Sequence, residues 1–311
     1  MTGEAEPRSG SVKAPRAVVI INPLSGHGRY EHQIQAHATV ARDVLGEHGI
    51  EADVRPTAGP GDARRFAADA AQAGCSLVVA WGGDGTVNEA ASALVHTPVR
   101  LAIVPAGSGN GLAADLGIPF NPRAALEVAA RGRSMTIDAG QVDECLFFNI
   151  AGVGVDAVIA ARFAERGPRR RGPFAYLQLG TAELLRYRAQ TYRLTLDGAA
   201  LERRAMLVAL ANGRQYGNRV LIAPGARLDD GLLEVVIVDQ LSVLSIAARL
   251  PSLFRGTLKP GRGVVMRAAR TLRIAAAGDI PYHIDGEPRL GRDEIVVTTH
   301  PRALHVCVTE V

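Results

Sequence analysis

The stretch Leu77-Val78-Val79-Ala80-Trp81-Gly82-Gly83-Asp84-Gly85-Thr86-Val87-Asn88-Glu89 constrains the fold more than any other. A short run this apolar reads as a strand buried on both faces, which occurs in parallel sheets covered by helices. The run stops at three glycines around one acid, and a helical pattern, expected from Val87 to about Val95, follows at once. Such a turn leaves main-chain N–H groups bare before a helix N-terminus, where the helix dipole also attracts anions. A tight turn needing positive φ accounts for one or two of the glycines, but not for three around an acid.

The pattern is repeated. Arg16–Ile21 is another apolar run, ending in Asn22-Pro23-Leu24-Ser25-Gly26-His27-Gly28 and a helical segment from Glu31 to about His48. A short strand, Glu51–Arg55, precedes Thr57 and a helix for which Asp62 is the expected N-cap. Arg100–Pro105 opens a second glycine loop, Ala106-Gly107-Ser108-Gly109-Asn110-Gly111. Alternating strands and helices predict a doubly wound parallel α/β domain, with ligands outside the carboxyl ends of its strands.

From Asp138 onward the chain reads mostly as strands: Ser134–Val142, Leu146–Ile150, Tyr192–Leu196, Arg204–Ala211, Leu232–Val238, Gly263–Ala268, Thr271–Ala276 and Glu294–Thr299. Asp197-Gly198 and Asp285-Gly286 punctuate them, and helices are expected from Gly172 to about Gln190 and from Ser242 to about Phe254. The expected architecture is α/β plus β. A leader at 1–15 precedes a nucleotide-binding α/β domain at 16–134, and an antiparallel β-sandwich follows at 135–311, its last residues able to return to the first domain.

With 47% hydrophobic and 21% charged residues, the chain is ordinary for a globular protein. Its net charge of +4 rests almost wholly on arginine, Lys13 and Lys259 being the only lysines. Cys75, Cys145 and Cys307 have neither zinc nor disulfide spacing, and the eight histidines share no metal spacing. The leader is polar, unlike a signal peptide, and no apolar run reaches the ~20 residues needed to span a bilayer. The expected location is cytoplasmic with peripheral membrane contact. No nucleic-acid partner is expected, and a homodimer is left open.

The glycine loop is not a Walker motif, since no Lys-Ser/Thr follows it, and the dinucleotide Gly-x-Gly-x-x-Gly spacing is also missing. Four motifs occur in order instead: Asn22-Pro23-x-Ser25-Gly26, Gly82-Gly83-Asp84-Gly85-Thr86-x-Asn88-Glu89, Pro105-x-Gly107-Ser108-x-Asn110, and Asp285-Gly286-Glu287. Together they resemble the diacylglycerol kinase catalytic-domain superfamily, whose fold is shared with NAD kinases. Bacterial soluble lipid kinases resemble the chain most, with sphingosine and ceramide kinases as relatives, over nearly everything from Ala17 to Val308. The resemblance implies an ATP-dependent lipid kinase of phospholipid metabolism, meeting its substrate at the membrane surface.

It also implies residue roles. The ATP site maps to Thr57, Gly83, Asp84, Gly85, Thr86, Val87, Asn88, Glu89 and Ser108, with Asn22 and Gly26 on the phosphate side. The proton acceptor maps to Glu287. Asp84 is a second candidate, because the sphingosine branch gives that role to the acid of the glycine loop. Mg²⁺ is implied twice: with ATP at the catalytic centre, and structurally at Asp230 with the carbonyls of Arg227 and Leu232. Read from the residues alone, Asp229-Asp230-Gly231 is a turn. Asn149–Asp156 resembles the family's lipid-side segment, where Asp156 could meet a polar headgroup or equally be a surface acid.

One departure stands out. Many bacterial members carry an acid where this chain has Gly111, so its role is dropped here or filled by Asp115 or Asp138. The loop looks more like the sphingosine and ceramide branch, and both diacylglycerol and sphingoid-type lipids stay open as acceptors. A basic segment, Arg162–Arg171, leading into the apolar Phe174–Leu179 suits contact with anionic lipid, or equally a solvated loop before an ordinary helix. Two alternatives from other classes remain: a cytosolic small-molecule kinase of the NAD kinase type, and a nucleotide- or lipid-binding regulator without turnover.

Overall fold

The computed structural model describes residues 16–25, 31–165, 183–184, 186–217 and 219–310. Gly26 and most of the basic and apolar stretch at 166–182 lie outside the described residues. The first half alternates strand and helix: β1 Arg16–Ile21, α1 Glu31–Glu47, β2 Glu51–Pro56, α2 Asp62–Gln72, β3 Leu77–Gly82, α3 Asp84–Leu94, β4 Arg100–Pro105, α4 Gly111–Asp115 and α5 Pro122–Arg131. The strands run parallel in the order β2-β1-β3-β4. Helices α1 and α5 pack together, as do α2 and α3. Val78, Val79, Ala80, Ile20 and Val104 are fully enclosed in one core, as their unbroken apolar runs require.

The second half is antiparallel and sandwich-like: β5 Arg133–Val142, β6 Cys145–Phe147, β7 Ile150–Gly154, α6 Val155–Glu165, β8 Gln190–Leu196, β9 Ala199–Ala211, β10 Leu233–Asp239, α7 Val243–Arg255, β11 Val264–Ala269, β12 Thr271–Ala275, β13 Ile280–Ile284, β14 Glu287–Gly291 and β15 Glu294–Val308. Its core gathers Tyr192, Phe147, Leu194, Val235, Ile274 and Ile295. Asp197-Gly198 and Asp285-Gly286 form two-residue hairpins with both φ values positive, the geometry for which Asp-Gly is favoured.

Two strands splice the halves. β15 pairs with β12 at its start, and by His305 and Val306 it runs parallel to β4. β5 pairs with it along most of its length, and residues of β5 enter both cores. Between His300 and Leu304 the register of β15 shifts, at Pro301, which has no N–H to donate, and Arg302 at φ 52°. The buried Asp138 carboxylate clips this bend, accepting from Arg302 N at 2.7 Å and from Gly231 N at 2.6 Å.

Some local expectations need correction. Helix α3 begins at Asp84 rather than Val87, with the extended Gly83 as its N-cap. The glycine loop is therefore the first turn of a helix. Asp62 is not the N-cap of α2; Gly61 is, and the Asp62 carboxylate turns back to accept from Ala58 N and Gly59 N. β13 and β14 form strands where none was expected.

Candidate active site

The residues assigned to the nucleotide gather at the carboxyl ends of the parallel strands. Asn22 follows β1, Thr57 follows β2, Gly83 to Thr86 follow β3, and Ser108 follows β4. Asn22 Nδ2 donates to Thr86 Oγ1 at 2.9 Å, and Asn22 Oδ1 accepts from Leu24 N at 2.9 Å. Thr57 N donates to Ile21 O at 2.9 Å. The first strand end is thus tied to its neighbours on both sides.

The two glycine loops touch backbone to backbone. A Cβ on Gly107 would lie 2.6 Å from Gly83 Cα, so no side chain fits between them. Asp84 joins the loops: its oxygens accept from Asn110 N at 2.8 Å and Gly111 N at 2.9 Å. Burial raises its carboxyl to about 6; the charge of Asp285 adds to this, while the N–H donors of Asn110 and Gly111 oppose it. Asn110 completes the second loop, its amide accepting from Gly107 N and donating to Gly107 O.

The remaining side chains of the α3 segment are engaged with other parts of the chain. Val87 is buried in the core. Glu89 caps α2, accepting from Gly61 N at 2.8 Å and Ala63 N at 3.2 Å. Asn88 donates to Leu146 O and to Asp285 Oδ2, both at 2.9 Å, which docks the β13–β14 hairpin on α3. Val87 can meet a ligand only through its main chain.

Asp285 is the anchor of the opposite wall. It accepts from Phe148 N, Asn149 N and Ile150 N, each at 3.0 Å, as well as from Asn88. Burial pushes its carboxyl above the usual range, and those donors restrain the rise. Two residues on, Glu287 opens β14, exposed, its carboxylate without a hydrogen bond or ion pair to any other described residue. A Cβ on Gly85 would lie 3.1 Å from Glu287 Oε1. An acid from the β half thus rests against the first turn of α3.

Asp156 lies in a buried network. Its Oδ2 accepts from Tyr216 OH at 3.0 Å and meets His283 Nε2 at 3.0 Å, while Oδ1 accepts from Ala157 N. Gly286 N donates to His283 Nδ1 at 3.4 Å, so the second imidazole nitrogen carries the proton and donates to Asp156. Asp156 is thereby linked to the hairpin that carries Glu287. No role for His283 was expected from sequence, because its partner Asp156 lies far away along the chain.

Asp115 and Asp138, the two acids weighed for the position of Gly111, are both held by other groups. Asp115 accepts from the main chain and side chain of Arg214 and from Gln215 Nε2, and Asp138 clips the β15 bend. The space beside Gly111 is filled by Asn149, whose Nδ2 would lie 2.2 Å from an added Cβ. Asn149 Nδ2 donates to Gln215 O at 3.0 Å. Beside Gly111 the second loop is thus packed closely against an amide.

At the segment assigned to structural Mg²⁺, Asp230 Oδ1 accepts from Leu232 N at 3.1 Å and Asp229 pairs with Arg227 at 3.2 Å. One carboxylate with two main-chain carbonyls is a donor set of the hard-oxygen kind that Mg²⁺ takes. Among the described residues no cluster of three or more His, Cys, Asp or Glu could hold a metal, so a cation here would depend on carbonyls and water. No helix among them is long and apolar enough to cross a membrane.

Comparison with known proteins bears on the whole chain. Residues 16–142 match the diacylglycerol kinase catalytic domain, and residues 149–308 match the YegS C-terminal NAD kinase beta sandwich-like domain. A diacylglycerol kinase of Mycobacterium tuberculosis is 33% identical over 279 residues, 88% of either chain. A protein of Yersinia enterocolitica named "Probable lipid kinase YegS-like" is 32% identical over 256 residues, 80% of this chain and 84% of that one. The crystal structure of a diacylglycerol kinase from Bacillus anthracis superposes with a TM-score of 0.75 over 96% of this chain and 98% of that one. At 19% identity this is a likeness of fold.

Proposed function

The chain belongs to the diacylglycerol kinase catalytic-domain family with a YegS-type C-terminal domain, and from that premise we propose that it transfers the γ-phosphoryl group of ATP to a hydroxyl of a membrane lipid. The observation that carries this is the approach of Glu287 to Gly85. It brings an uncommitted carboxylate to the helix N-terminus that follows the glycine loop, where bare amides and the helix dipole suit a phosphate chain.

Phosphoryl transfer asks the protein chiefly for positioning and charge stabilisation. The N–H groups of the first turn of α3 and the helix dipole hold the phosphates, and the abutting glycine loops let the backbone approach them closely. Glu287 accepts the proton of the lipid hydroxyl as its oxygen bonds to the γ-phosphorus. The bond from that phosphorus to the bridging oxygen breaks, and ADP leaves with the electron pair. Asp84 suits the proton-acceptor role less well, because both its oxygens already accept from the second loop. Asp156 reaches a headgroup only if His283 or Tyr216 yields.

Mg²⁺ accompanying the nucleotide would offset phosphate charge beside Asp84, and a second ion would be held by Asp230 with the carbonyls of Arg227 and Leu232. Purified protein incubated with labelled ATP and a panel of diacylglycerol, sphingoid base, ceramide and NAD tests the reading. A labelled lipid phosphate is expected. Label on NAD alone, or no product in mixed micelles, overturns it.

A further inference from the structure

Helix α7 carries its apolar side outward. Its exposed positions are Leu244, Ala247, Ala248, Leu250, Pro251, Phe254 and Arg255. At the helical 100° per residue they form one continuous arc of about 160° with a single polar member. Leu244 is 82% exposed, Phe254 51% and Leu250 41%. The polar residues lie on the other side and bond to main chain: Arg249 to Ser245 O and Arg262 O, and Ser252 to Arg249 O. A helix on a soluble surface has the opposite arrangement, and an apolar patch of this kind marks a contact.

Charge and position indicate what covers it. From residue 240 to residue 278 the sequence holds no acid but seven cations, among them Arg255, Lys259 and Arg262 at the C-terminal end of α7. Arg255 is the only side chain of the outward face able to make a hydrogen bond, so the face offers little for pairing with a specific protein surface. A lipid surface needs none of that, and an anionic one attracts the cations. The inner side of α7 leans on the lipid-side wall of the site. Ile246 packs with Val155, Ile159 and Met206, and Leu253 O accepts from Leu221 N. Leu221 ends the segment that carries Tyr216, the partner of Asp156.

We propose that the outward face of α7 is the surface by which this protein docks on an anionic lipid bilayer, with Leu244, Leu250 and Phe254 entering the interface and Arg255, Lys259 and Arg262 lying over the headgroups. This deepens the lipid-kinase reading and rests on it for its consequence, delivery of a bilayer lipid to the cleft, although docking is measured separately from phosphorylation.

The experiment is co-sedimentation of the full chain with phosphatidylcholine vesicles and with phosphatidylglycerol-rich vesicles. Wild type is compared with the double variant Leu244→Ser, Phe254→Ser and with Arg255→Ser, Lys259→Ser. Wild type is expected on the anionic vesicles, less so in high salt. The apolar variant should partition about a hundred-fold more weakly and the basic variant should lose its preference for anionic lipid. Turnover of a dispersed short-chain substrate should be unchanged in the apolar variant. Docking that depends on α7 without any phosphorylation of lipid supports this surface and refutes the kinase reading alone. Wild type that ignores anionic vesicles, or variants that bind as wild type does, overturn it. So does a dimer, seen by light scattering, that the apolar variant dissolves, because the face would then cover a second copy of this chain.

Discussion

The two acids that meet at the first turn of α3 are held in opposite ways. Asp84 belongs to the α/β half, and both its oxygens accept main-chain N–H groups from the second glycine loop. Glu287 comes from the β half on a two-residue hairpin, exposed, its carboxylate without a polar partner among the described residues. Burial raises Asp84 to about 6, whereas Glu287 stands in solvent against Gly85. One carboxylate is a strut between loops; the other is available for chemistry. A carboxylate placed in the motif with the most conspicuous spacing can therefore be tied up in main-chain bonds, while an uncommitted one arrives from the other half of the chain.

The largest expected effect breaks this comparison outright. Glu287→Gln keeps the shape and removes the base, so kcat should fall by about 10²–10⁴-fold with thermal stability within about 0.5 kcal/mol of wild type. A variant that keeps its kcat would move the proton to Asp84.

Asp84→Asn should show the reverse balance. An amide can accept only one of the two N–H donors, leaving the other poorly matched, at a cost of about 1–3 kcal/mol of stability at neutral pH. The pH dependence sharpens this. The folded pKa of about 6 lies above the ordinary 3.8, so the folded state binds more protons than the unfolded one between those values. This contribution is present in full below 3.8 and is lost as pH rises through about 6. Melting curves on both sides of that window should show a loss in wild type that is reduced in Asp84→Asn.

Gly111→Ala tests whether the second loop tolerates any side chain. Its Cβ would displace the Asn149 amide from Gln215 O, and about 1–3 kcal/mol of destabilisation is expected by chemical denaturation. A stable, active alanine variant would show that the close packing here is dispensable. The smallest effect is at Asp230, which is exposed. If it holds Mg²⁺, millimolar Mg²⁺ should raise the melting temperature of wild type modestly, chelator should reverse this, and Asp230→Asn should show neither response.

How much of this the sequence made legible varies by region. The strand ends of the α/β half were readable because unbroken apolar runs and glycine loops are local signals. The start of α3 was less so, because Asp84 and Gly85 are poor helix formers judged alone yet are accepted in a first turn that follows Gly83. Strands β13 and β14 escaped because they are five residues each and hold Pro281 and Pro288, which obscure the alternation on which a strand is recognised. Asp285 was visible as a turn residue; that its carboxylate gathers three consecutive amides from 148–150 was not.

What the chain determined by itself is the alternation of strand and helix in the first half, the pairing of glycine loops with strand ends, and the turn at Asp285-Gly286. These follow from backbone preferences and apolar periodicity, which act over a few residues. Only the tertiary structure decided which acid would be a strut and which would stay uncommitted, that Asn149 fills the space beside Gly111, and that His283 joins Asp156 to the hairpin of Glu287. Those outcomes depend on contacts between residues 26 to 202 positions apart, where burial and hydrogen-bond geometry set the environment of each group.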